Sequence, residues 1–107
     1  MNGKLSTHVL DTRSGKPAAG LKIDLLFQGK LLTTHTTNPD GRTDSPLVAP
    51  GSLQKGEYEI RFHVGTYFQE KTFLDVVPVL FTVTDPSQNF HVPLLCSPYT
   101  YTTYRGS

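Results

Sequence analysis

The amino-acid sequence predicts an all-β fold: two packed antiparallel sheets of four strands each, with one short helix. Three observations carry that reading. Short apolar runs are separated by Gly, Pro, Asn and Asp at intervals of roughly 8 to 12 residues, the spacing of a β-sandwich. Within several of these runs apolar and polar side chains alternate with a period of two. Helical periodicity is nearly absent.

In chain order, Leu5 to Asp11 reads as the first strand, with Leu5, Thr7 and Val9 on one face and Ser6, His8 and Leu10 on the other. Arg13 to Pro17 turns the chain. Leu21 to Gln28 alternates Leu21, Ile23, Leu25 and Phe27 against polar residues, so it is a half-buried strand. Leu31 to Thr37 is a threonine-rich third strand. In Asn38-Pro39-Asp40-Gly41 the proline fixes φ and the glycine accepts φ > 0, a turn that delivers Arg42. A short edge strand fits near Ser45 to Val48. From Glu57 to Val64, Tyr58, Ile60, Phe62 and Val64 face inward and Glu57, Glu59, Arg61 and His63 outward. Thr66 to Leu74, free of Gly and Pro, has room for the one helix. Val79 to Thr84 and Asn89 to Ser97 are further strands, and Pro98 separates the second from a terminal strand over Tyr99 to Arg105. That tail is patterned with aromatic and β-branched residues where chain ends are usually small and polar.

With 107 residues, the chain holds one hydrophobic core, and 1–107 is read as a single domain. Its 36% apolar and 18% charged composition is that of a folding chain. The net charge of +1 supplies no broad field for nucleic acid or an anionic membrane, so neither is expected as a partner. The single cysteine, Cys96, forms no intrachain disulfide, which suits a reducing compartment. With no apolar run long enough to span a bilayer and no h-region at the start, a soluble cytoplasmic protein is expected, or a periplasmic one if a signal peptide has been removed.

Strand parity sorts the residues that could carry chemistry. Phe90, Val92, Leu94 and Cys96 share one face and form its core side, so His91 points outward, as His8 does. The two rings meet only if their strands lie in one sheet. His35 and His63 read as ordinary surface histidines. Cys96 reads as a small buried hydrophobe facing away from His91. No His-x-x-x-His or Cys-x-x-Cys spacing marks a zinc site, and no Gly-rich phosphate loop or Gly-x-Ser-x-Gly elbow occurs.

Three stretches carry a family resemblance. Leu5-Ser6-Thr7-His8-Val9-Leu10-Asp11-Thr12 with Gly15-Lys16-Pro17-Ala18, then Asn38-Pro39-Asp40-Gly41-Arg42, then His91-Val92-Pro93-Leu94-Leu95 with Tyr101-Thr102-Thr103-Tyr104-Arg105-Gly106-Ser107, resemble the hydrolase branch of the transthyretin family. The resemblance runs over essentially the whole chain. Cys96 stands where leucine is common in the family, a core-facing exchange that bears on packing. The resemblance implies a transthyretin-like β-sandwich, a homotetramer built as a dimer of dimers, and active sites in the channel between the dimers. It implies hydrolysis of 5-hydroxyisourate to 2-oxo-4-hydroxy-4-carboxy-5-ureidoimidazoline in urate catabolism, without a metal or other cofactor. His8, Arg42 and His91 match the catalytic positions, and Tyr104, Arg105, Gly106 and Ser107 those that border substrate. The contrasting reading is a transthyretin-like carrier that holds an aromatic ligand in the channel without turnover.

Overall fold

The computed structural model describes residues 3–107. Its elements run β1 (Leu5–Asp11), β2 (Lys16–Pro17), β3 (Lys22–Phe27), β4 (Lys30–Thr36), β5 (Gly56–His63), α1 (Val64–Phe68), β6 (Val76–Val83), β7 (Phe90–Cys96) and β8 (Tyr101–Thr103). Two four-stranded sheets result, ordered β2-β1-β7-β8 and β4-β3-β5-β6.

Alternation decides which side chains lie between the sheets. Leu5 and Val9 of β1, Val92, Leu94 and Cys96 of β7, Ile23 and Leu25 of β3, and Tyr58, Ile60 and Phe62 of β5 are all buried in one cluster. Each fully buried aliphatic or aromatic side chain there contributes about 1.5–3 kcal/mol. Buried polar groups have partners: Thr7 Oγ1 donates to Val92 O at 2.7 Å, and Thr37 Oγ1 donates to Ala18 O at 2.6 Å. Asp11 accepts from the Arg13 and Ser14 backbone N–H groups and from the Tyr67 hydroxyl.

The two four-stranded sheets match the expectation, with one difference inside them. β1 and β7 pair in parallel, Leu5 beside Phe90 through Asp11 beside Cys96, so the first sheet is mixed. Strands 79 residues apart in sequence need no hairpin, and alternation alone is blind to the direction of pairing.

Four boundaries also move. The helix is Val64–Phe68, earlier and shorter than the 66–74 segment, because Gln69 takes the left-handed conformation that ends it. At 45–48 there is no strand, only a bridge between Leu5 and Val48; the fourth strand of the first sheet is Lys16–Pro17, within the expected turn. β6 starts at Val76 and runs through Pro78, which is tolerated because β6 is an edge strand. The terminal strand contracts to Tyr101–Thr103, and pairing returns at a bridge between His91 and Gly106. Pro93 accounts for the gap. In the same antiparallel register it stands where an N–H would face Tyr104, and proline has none.

Among the described residues, no helix is long and apolar enough to cross a membrane.

Candidate active site

His8 and His91 occupy the outer face of the first sheet, each half-buried, on the adjacent strands β1 and β7. The parallel register sets His91 beside Ser6 and His8 beside Pro93, so the two imidazoles are diagonal neighbours on one face. Ser6 Oγ lies 2.9 Å from His91 Nδ1.

Arg42 reaches this region by way of its loop. Asn38 Oδ1 accepts from the backbone N–H groups of Asp40 (2.9 Å) and Arg42 (3.2 Å), and the Asn38 N–H donates back to Arg42 O at 2.7 Å. Gly41, at φ +74°, then docks on β1 by accepting the Val9 N–H at 2.8 Å. A β-carbon at Gly41 would collide with Val9 O, so both its φ and its close approach to β1 call for glycine. The exposed Arg42 side chain lines a depression of about 170 Å³ with Lys4, Ser6, Thr43 and Asp44.

Electrostatics keep His91 neutral. Partial burial lowers its pKa from the ordinary 6.5, and the nearby positive charges of Arg42, His8 and Lys4 lower it further. A neutral imidazole beside two permanent cations can take a proton from water while a guanidinium faces developing negative charge.

The tail divides into two roles. Gly106 pairs with His91, its N–H donating to His91 O at 2.7 Å. Arg105, one residue earlier, turns to the other side: its guanidinium lies 4.1 Å from the centroid of the Phe90 ring and donates to Gln88 Oε1 and Asn89 O. On this chain Arg105 is therefore engaged away from His91. It borders a crevice of about 330 Å³ between β6 and β8, with Val79, Phe81, Val92 and Tyr104. Tyr104 and Ser107 are exposed.

The remaining candidates lie elsewhere. His63 Nε2 pairs with Asp24 Oδ2 at 2.8 Å on the second sheet, and His35 sits on β4 beside Ile23. Cys96 is fully buried, its thiol pushed up to about 12 by burial and then by Asp11, which makes it a packing residue and no nucleophile. Among the described residues, no three His, Cys, Asp or Glu side chains lie close enough to hold a metal ion. Ser6 and Lys4 are the site neighbours that the sequence reading did not single out. Ser6 was legible as outward-facing, but only the parallel pairing brings it to His91.

A β-sandwich carrying a histidine pair and an arginine loop on the outer face of one sheet is the class that fold and site define. The chain belongs to the HIUase/Transthyretin family, whose model matches residues 5–106. It is 51% identical to the 5-hydroxyisourate hydrolase of Deinococcus radiodurans over 113 aligned positions, 96% of this chain and 95% of that protein. The structure of Klebsiella pneumoniae 5-hydroxyisourate hydrolase superposes with a TM-score of 0.87 at 31% identity, covering 98% of this chain and 94% of that one. Sea bream transthyretin, solved with thyroxine, shares the fold, with a TM-score of 0.87 at 23% identity over 96% of this chain and 94% of that one.

Proposed function

We propose that this chain hydrolyses 5-hydroxyisourate, opening the six-membered ring at the N1-C6 amide to give 2-oxo-4-hydroxy-4-carboxy-5-ureidoimidazoline. The observation that carries the reading is the convergence of His8, His91 and Arg42 at the outer face of β1 and β7. A carrier pocket for an apolar ligand has no need of that combination.

Attack of water on the C6 carbonyl needs a base for the water, a donor for the oxyanion and a proton for the departing nitrogen. His91, neutral at pH 7, takes the proton as water adds to the carbonyl carbon. Arg42 binds the carbonyl oxygens and stabilises the tetrahedral oxyanion. As the C6-N1 bond breaks, N1 receives through His8 the proton that His91 took from water, the electron pair of the oxyanion re-forms the carbonyl, and the resulting carboxylic acid loses its proton to solvent to give the carboxylate. Tyr104, Arg105, Gly106 and Ser107 form the substrate-bordering tail, within which Arg105 acts by anchoring the segment to Phe90.

The functional unit in this reading is a homotetramer, a dimer of dimers, with the outer faces of the β1/β7 sheets turned toward a central channel. Support comes from the edges: β6 and β8 end their sheets on the same side of the sandwich, with Val76, Leu80 and Tyr101 exposed along them and Tyr104 exposed just past β8.

The test is to add the protein to freshly generated 5-hydroxyisourate and follow its ultraviolet absorbance. Accelerated decay is expected. Decay at the spontaneous rate, with binding of the compound retained, would favour a carrier.

A further inference from the structure

We propose that Ser6 is a positioning residue for this reaction, its hydroxyl holding the His91 imidazole through Nδ1 and so presenting Nε2 to the water. The proposal rests on the hydrolase reading above and adds a residue to it.

Three features of the fold support it. The parallel β1/β7 register makes Ser6 and His91 direct neighbours, and their side chains emerge on the same face. The Ser6 Oγ to His91 Nδ1 distance of 2.9 Å is that of a good hydrogen bond between half-buried groups. On the ring's other flank Gly106 passes so close that a β-carbon there would lie 2.6 Å from Cδ2. The ring is thus held at Nδ1 by Ser6 and confined at Cδ2 by the tail. Among the described residues, Nε2 is the ring nitrogen left without a protein partner.

The chemistry of serine fits both halves of the cycle. A neutral imidazole carries one N–H and one lone pair. For Nε2 to accept a proton, the existing N–H must sit on Nδ1, where it donates to Ser6 Oγ. Once Nε2 is protonated the imidazolium is a donor at both nitrogens, and Ser6 accepts still. Serine therefore keeps one contact through proton uptake and release, and its own hydroxyl proton stays free to turn elsewhere. An aspartate at this place would instead raise the histidine's proton affinity and work against the neutral state that burial and the neighbouring cations maintain.

The experiment combines ¹⁵N-imidazole NMR of His91 with steady-state kinetics on the wild type, Ser6→Ala and Ser6→Thr. In the wild type the Nδ1–H tautomer is expected to dominate. Ser6→Ala should shift His91 toward the Nε2–H tautomer and lower kcat on the order of 10-fold to 100-fold, with KM changing less than kcat because the bond lost is the one to His91. Ser6→Thr, which keeps the hydroxyl, should restore both the tautomer and most of kcat. A Ser6→Ala protein with the wild-type tautomer ratio and wild-type kcat would overturn the proposal. So would loss of kcat in Ser6→Thr equal to that in Ser6→Ala, since the hydroxyl would then not be the operative group. Absence of turnover by the wild type would overturn the hydrolase reading and this proposal with it, whereas turnover that Ser6→Ala leaves unaltered overturns this proposal alone.

Discussion

Gly106 lies against the edge of the His91 ring, close enough that an added β-carbon would stand 2.6 Å from Cδ2, while its N–H bonds to His91 O. Backbone pairing and ring contact therefore couple the tail to the proposed base. Gly106→Ala should push the imidazole off its position and lower kcat on the order of 10-fold to 100-fold. The position is peripheral to the core, so the melting temperature should move little. Steady-state kinetics beside a thermal melt would check this, and unchanged turnover would remove the tail from the alignment of His91.

The pH dependence follows from the lowered His91 pKa. Burial first, then Arg42, His8 and Lys4, disfavour the imidazolium, so the neutral form, the proposed base, persists below pH 6.5. The acid limb of kcat/KM should therefore have its midpoint below 6.5 and shift upward in Lys4→Met, which removes one of those charges. Stability moves in the same direction. The unfolded chain takes up the His91 proton before the folded one does, so this group's contribution declines as pH falls from about 6.5 and is fully lost below the folded pKa. A pH-rate profile of the two proteins checks the claim; an acid limb above 6.5 in the wild type would contradict it.

Much of this arrangement is legible in the sequence, for identifiable reasons. Period-two alternation depends only on local geometry, so it assigned Tyr58, Ile60 and Phe62 to the core and His8 and His91 to the outer face. It also kept Cys96 out of the chemistry. The parallel β1/β7 pairing is a long-range contact with no local signal, and with it the Ser6 to His91 bond was out of reach. The same holds for the tail. Tyr99 to Arg105 has strand composition throughout, but its partner strand carries Pro93, which interrupts the ladder at Tyr104 and lets Arg105 turn onto Phe90. For Pro78 the neighbour has the opposite effect: its edge position lets β6 begin two residues before it.

Assembly offers a prediction independent of catalysis. Leu80 is 57% exposed and Val76 41%, both on the edge strand β6. Analytical ultracentrifugation should give the mass of four chains. Leu80→Glu should shift the distribution toward smaller species and reduce activity with it, because the proposed channel lies between dimers. A stable, fully active monomer would contradict the tetrameric reading.

The most direct test of the central claim is the turnover of 5-hydroxyisourate by His91→Ala, measured beside its thermal unfolding. His91 is half-buried on the outer face of β7 and is not part of the buried core cluster, so the variant should fold. Loss of a positioned base should lower kcat on the order of 10² to 10⁴-fold, with the melting temperature nearly unchanged. A His91→Ala protein that opens the ring at the wild-type rate would contradict the account.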